Sequence, residues 1–178
     1  MKTNVWMQRF ATIAGSALMG LTFTSGANAA PENVDVEVTF VAAITISEQG
    51  SLKFGLLDVA MANLETVIIA PDDGLTDGGL NVVGGVQEAA DLTITATATT
   101  PINILIDNVL PASPTNYDLA TWMCEYEALG PAACDGTGWN IASAAASGAL
   151  RVGVTLTGNG TGTAGVDNST FDVTVAYQ

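Results

Sequence analysis

The sequence predicts an all-β sandwich, and three observations carry that prediction. Every even position from Val34 to Ile46 is apolar, while Asp35, Glu37, Thr39, Thr45 and Ser47 fill five of the seven odd positions from 35 to 47. A period of two marks a strand with one buried and one wetted face. The same alternation returns in residues 92–98, 102–106, 150–156 and 171–177. Beyond the first 29 residues no segment carries an apolar period of 3.6, and Thr, Val and Gly stand where helix formers would be expected. Only residues 142–149, rich in alanine, admit a turn or two of helix.

Taken in order, residues 1–29 have the makeup of a cleaved export signal. Lys2 and Arg9 form a short basic start, residues 10–23 are apolar but too short to cross a bilayer, and Ala27-Asn28-Ala29 supplies a small-x-small cleavage site. Cleavage after Ala29 leaves 149 residues, enough for one domain with its own core. No cysteine lies near that site for a lipid anchor, and no later apolar stretch reaches the roughly 18 residues a membrane helix requires. The expected destination is the periplasm in transit, then the cell surface or the medium.

Residues 34–46 run to about twice the usual strand length of roughly 5–6 residues. They therefore read as two strands in series: an N-terminal extension over 30–41, then the sandwich domain over 42–178. Ser47, Glu48, Gln49 and Gly50 make a polar turn, and Leu52, Lys53, Phe54 and Gly55 a short strand. Residues 67–70 form another, stopped by Pro71, and residues 72–79 are a loop by their Asp and Gly content. Strands over 92–98 and 102–106 flank Pro101. Residues 108–147 read as a long irregular stretch holding both cysteines, Trp122 and Trp139. A strand over 150–156, a flexible turn over 158–165 and a last strand over 171–177 complete the chain.

Charge narrows the function. Removing the signal takes away Lys2 and Arg9 while all 18 acidic residues stay, so the formal charge falls from −14 to −16 with Lys53 and Arg151 the only cations. Such a surface repels phosphate backbones and anionic lipid, which excludes nucleic acid as a partner and favours solubility in an external medium. Catalysis has little to work with. The chain contains no histidine, so triads and Cys–His dyads are ruled out. Lys53 is the only lysine a Ser–Lys pair could use. Glu125 and Glu127 share a face if extended, as a glycosidase pair would, but read as solvated acids. Gly160, Gly162 and Gly165 match G-x-G-x-x-G, yet a strand follows where a phosphate site needs a helix. Asp72, Asp73 and Asp77 are the nearest approach to an oxygen-ligand calcium site, and their spacing misses the helix–loop–helix pattern. No cofactor is expected.

Cys124 and Cys134 are the only cysteines, and in an exported chain two predict a disulfide. Trp122, Tyr126 and Trp139 surround them, with Tyr117 close by. They read either as a small core packed on the disulfide or as a face for stacking on sugar rings. The second reading makes the chain a monomeric carbohydrate-binding module, an alternative to the one developed next.

A sandwich that ends on an apolar, alternating strand leaves an edge uncovered, and uncovered edges invite pairing with another chain. A spare alternating segment lies at the other end. The simplest resolution is that the extension of one subunit completes the sheet of the next. Val36-Glu37-Val38, Ala43-Ile44-Thr45-Ile46, Leu52-Lys53-Phe54-Gly55 and the terminal Phe171-Asp172-Val173-Thr174-Val175-Ala176-Tyr177-Gln178 resemble exported pilin-like domains akin to spore-coat-protein-U-like and chaperone–usher fimbrial subunits. The resemblance implies an incomplete immunoglobulin-like sandwich whose groove is filled first by a periplasmic chaperone, then, at an usher, by a neighbour's N-terminal strand. It makes Val34, Val36, Val38 and Phe40 the donor side chains, and Phe171, Val173, Val175 and Tyr177 the border of the acceptor groove. Two features depart from fimbrial relatives: residues 34–40 lack a glycine, and the cysteines lie in the second half of the chain. The function expected is that of a non-enzymatic subunit of a fibre, pilus or coat, serving adhesion or biofilm structure.

Overall fold

The computed structural model describes residues 37–110, 116–160 and 162–178. The expected signal at 1–29 and the donor positions Val34 and Val36 lie outside the described residues. Twelve strands follow in chain order. They are β1 (Thr45–Gly50), β2 (Leu56–Leu57), β3 (Thr66–Ile69), β4 (Leu75–Asp77), β5 (Val82–Gly84) and β6 (Ala90–Thr95). Then come β7 (Ile102–Leu110), β8 (Tyr117–Tyr126), β9 (Ala132–Ala133), β10 (Trp139–Ile141), β11 (Ser147–Gly158) and β12 (Thr170–Tyr177).

The first layer is built on β11, at 12 residues the longest strand. Along Leu150–Gly158 its one edge pairs with β8, and β9 adds outside β8. Its other edge serves two strands in succession, β6 opposite Ser147–Val152 and β3 opposite Val154–Thr157. The change of partner falls at Gly153. A Cβ there would lie 2.2 Å from the Ile69 carbonyl oxygen and 2.8 Å from the Ala70 carbonyl carbon, so the corner where β3 runs into Pro71 admits only glycine. The layer order is β1-β6-β11-β3-β4, every pairing antiparallel. The second layer is β10-β7-β12, also antiparallel, and β2 and β5 make a small separate ribbon.

The two layers share one core. Leu92 and Ile94 from β6, Leu150, Val152 and Val154 from β11 and Trp122, Cys124 and Tyr126 from β8 meet Ile102, Ile104 and Ile106 from β7. Each fully buried aliphatic side chain contributes roughly 1.5–3 kcal/mol. Three strands plain in the sequence, β6, β7 and β11, supply most of this core, and β8 supplies the rest. Cys124 and Cys134 form the predicted disulfide, with both residues fully buried. The all-β sandwich expected from the alternation is the fold found.

Several elements differ from the sequence reading. Residues 37–44 form no strand, so the long alternation through Ile46 is not two strands in series. The strand instead begins at Thr45 and continues through Ser47, Glu48, Gln49 and Gly50, which are no turn. Its exposed edge position lets polar residues occupy it, and the ladder to β6 rather than hydrophobicity holds it. Residues 72–79 contain β4, paired with β3. Residues 52–55 contribute a single bridge, Lys53 to Glu88.

The largest difference is residues 108–147, which carry β8, β9 and β10 and end at the first residue of β11. Along β8 the better-covered side chains are Tyr117 and Leu119 at first and then Trp122, Cys124 and Tyr126. The phase slips at Thr121, whose φ is +57°, beside a register shift against β11. One bulge therefore breaks the period of two that would have revealed the strand. Residues 142–149 hold no helix, and their last three open β11.

Two stability measurements follow from this packing. Replacing both Cys124 and Cys134 by alanine is expected to lower unfolding stability by about 2–3 kcal/mol. Gly153→Ala is expected to lower it by about 1–3 kcal/mol through overpacking. A shift of the urea midpoint at constant slope reads either. An unchanged midpoint for Gly153→Ala would show that the β3 corner yields to a methyl group.

Candidate functional site

Phe171, Val173, Val175 and Tyr177 sit on one face of β12 and pack partly against the core, while Asp172, Thr174 and Ala176 face outward. β12 pairs with β7 on one edge, and no strand pairs with its other edge among the described residues. β1 is likewise paired on one side only, with β6. Among the described residues both layers thus end in an open edge.

A groove of 1120 Å³ lies at these edges. Its apolar lining comes from both layers, with Leu52, Phe54, Leu92 and Trp122 on one side and Phe171 and Val173 of β12 on the other. The rings of Trp122 and Phe171 meet at 4.7 Å between centroids, tilted by 47°. Glu48, Asp58, Glu88 and Asp167 also line the groove, and its one cation, Lys53, is paired with Glu88 at 2.6 Å. The site is an apolar trough with an acidic margin.

Hydrogen bonds fix both of its surroundings. The turn between β11 and β12 is fastened by Asn116, whose Nδ2 donates to Asp167 and whose Oδ1 accepts from the Thr163 N–H, both at 3.2 Å. The Tyr117 hydroxyl and Ser169 Oγ lie 2.8 Å apart, and burial pushes the Tyr117 phenol above its ordinary pKa. At the far end of β12 the Tyr177 hydroxyl accepts from the Thr97 N–H at 2.7 Å and donates to the Ala42 carbonyl at 2.9 Å. Val175 and Tyr177 therefore border the same edge without lining the groove, unlike Phe171 and Val173. Just ahead of Ala42, Phe40 is 88% and Val38 64% exposed.

The other residues singled out by the sequence are dispersed. Asp72 accepts from the Gly74 N–H, and Asp77 accepts from the N–H groups of Gly79 and Val82 and from the Asn81 side-chain amide. Asp73 pairs with Arg151 and accepts from the Ala89 N–H at 2.8 Å. Asp72 and Asp77 each shape a local turn while Asp73 joins distant segments, and no group of three or more His, Cys, Asp or Glu is set to hold a metal among the described residues. Glu127 lies past the end of β8 at φ +53° and accepts from the Ala149 N–H, so it does not continue the face of Glu125.

The glycine pattern after β11 serves close approach. A Cβ on Gly162 would lie 2.4 Å from the Val59 carbonyl oxygen, and Gly160 sits at φ +75°. The sugar-stacking expectation meets a correction. Trp122 is 4% and Tyr126 1% exposed, both inside the core, and the Tyr126 hydroxyl is engaged by the Ala145 N–H at 3.0 Å. Tyr126 presents no face to a ring, Trp122 reaches the groove only as a nearly buried wall covered by Phe171, and Trp139 is half-buried against the same core.

Residues 44–177 match a family described as a domain of unknown function, DUF4402. The chain belongs to the DUF4402 family. No curated protein and no solved structure matches it. The DUF4402 match begins two residues after Ala42 and ends at Tyr177, so it spans all twelve strands and leaves the N-terminal extension outside. What sequence reasoning missed in this DUF4402 domain is the first wall of the groove. Leu92 and Trp122 were read as strand and loop residues, and nothing local signals that they face the same trough as Phe171.

Asp73 sets a pH dependence. The hydrogen bond from Arg151, then that from the Ala89 N–H, hold its carboxyl below the usual carboxylate range. A depressed acid stabilises the fold above its unfolded pKa of about 3.9 and loses that contribution as pH falls through the lower folded value. Both partners are more than a third exposed or nearly so, which keeps the effect small and sensitive to salt. Urea midpoints followed downward from about pH 5 are expected to fall less steeply in Asp73→Asn than in the wild type. Identical acid limbs would mean that the pair contributes nothing.

Proposed function

We propose that this DUF4402 domain is an exported, non-enzymatic structural subunit that assembles with copies of itself or related subunits into a surface fibre, pilus or coat. The single observation that carries the reading is the unpaired edge of β12 beside an apolar groove lined from both layers. An extended segment laid there gains main-chain hydrogen bonds from the edge and pockets for alternate side chains. Residues 34–40 have that character, with apolar side chains at Val34, Val36, Val38 and Phe40. The high exposure of Phe40 in a domain with its own core supports a role outside the parent sandwich.

Magnitudes favour a ladder over mere adhesion. Burying Val36, Val38 and Phe40 is worth roughly 1.5–3 kcal/mol each. That sum is of the same order as the ~4–15 kcal/mol lost on association. Main-chain pairing along β12 then decides whether assembly persists. The absence of histidine from the sequence and the dispersal of the carboxylates support a non-catalytic role. Adhesion or biofilm structure is the service such a polymer performs, and the likeness to fimbrial and spore-coat subunits points to a chaperone and usher as accessory partners.

The test is the size and shape of the mature protein, by size-exclusion chromatography and negative-stain microscopy. Filaments or ladders are expected in the wild type and are expected to vanish when residues 34–40 are deleted or when Val173→Arg places a charge in the groove, with the monomer still folded. Assemblies that survive the deletion unchanged would sink strand donation.

A further inference from the structure

Ala42 is held by both of its backbone polar groups. Its N–H donates to Thr97 Oγ1 at 2.7 Å, and its carbonyl accepts from the Tyr177 hydroxyl at 2.9 Å. The same hydroxyl accepts from the Thr97 N–H at 2.7 Å, so three residues far apart in the chain close a small ring of hydrogen bonds. Thr97 lies just past the end of β6 in the first layer, and Tyr177 ends β12 in the second. The ring therefore ties the chain to both layers, three residues before β1 begins at Thr45. Residues 42–44 belong to no strand, so apart from the packing of Ile44 this grip is what holds them.

We infer that Thr97 and the Tyr177 hydroxyl are positioning groups for strand donation: they fix the point from which the N-terminal extension leaves the sandwich. The inference rests on the strand-donation reading above and adds the reach of the donor to it. Residues 30–41 extend to at most ~40 Å at ~3.3–3.6 Å per residue. Residues 34–40 laid along a neighbour's β12 use about 23 Å of that. With residues 34–40 in the groove, residue 41 alone is left between the donor and Ala42 to bridge the two subunits. Releasing Ala42 would add residues 42–44 to this bridge and lengthen it from one residue to four. A longer, looser tether lowers the effective concentration of the donor at the next groove and lets the joint bend. The grip keeps the joint short and directed.

The experiment compares wild type, Thr97→Ala, Thr97→Ser and Tyr177→Phe in two readouts. The first is hydrogen exchange at the Ala42 amide in the mature monomer. It is expected to speed up by about three- to tenfold in Thr97→Ala and Tyr177→Phe, the effect of one net hydrogen bond, and to return towards wild type in Thr97→Ser. The second is the length and straightness of filaments, expected to fall in the first two variants and recover in Thr97→Ser. Unchanged Ala42 exchange in Thr97→Ala and Tyr177→Phe would overturn the grip. Faster exchange with unaltered filaments would overturn its positioning role. A wild type that never assembles would overturn strand donation and with it the positioning role, while the exchange result still decides whether the grip exists.

Discussion

β11 has more to satisfy than any other strand. It carries β8 along one edge while β6 and β3 share the other in series, and the handover between them has no room for a side chain. Gly153 meets that constraint: with any Cβ at 2.2 Å from the Ile69 carbonyl oxygen, the end of β3 would be pushed away from β11. Everything on the first layer depends on this junction. β6 places Leu92 and Ile94 over the core, β1 hangs on β6, and β3 carries β4. The second layer has only β7 at its centre, and β12 is attached to that strand alone.

The asymmetry between the layers locates the site. The first layer is broad, with β11 paired on both edges and β1 at its margin. The second layer is three strands wide and stops at β12, leaving Phe171 and Val173 to roof a trough whose floor belongs to the first layer. An edge of this kind is a liability unless it is covered or used. The acidic margin formed by Glu48, Asp58, Glu88 and Asp167 discourages indiscriminate pairing, because an approaching edge must bring apolar side chains into register to offset the loss of hydrated charge. On the strand-donation reading, this makes the groove selective.

The sequence made the core strands legible because their period of two is uninterrupted. Ile102, Ile104 and Ile106, or Leu150, Val152 and Val154, announce a buried face with no help from tertiary context. β8 was illegible for the opposite reason: one left-handed residue, Thr121, shifts the inward set from odd to even positions. β1 was illegible because an exposed edge strand needs no apolar residues, so Ser47, Glu48 and Gln49 look like a turn. Of the candidate site, Phe171 and Val173 were readable from alternation, whereas their neighbours Leu52, Phe54 and Trp122 became so only once the layers were stacked. Trp122 and Tyr126 show the limit most clearly, since aromatic residues near a disulfide look alike in sequence whether they face water or the core.

The burial of Cys124 and Cys134 has a consequence for the order of events during maturation. Both sulfurs belong to residues with no accessible surface, enclosed between β8, β9 and the interior. Thiol–disulfide exchange requires an in-line approach of a thiolate to sulfur, which the closed sandwich does not permit. Oxidation must therefore come first, while the β8–β9 hairpin is still open, and the layers close afterwards over a bond already made. A chain that packs before meeting an oxidant would lock its thiols away and would have to reopen to be corrected.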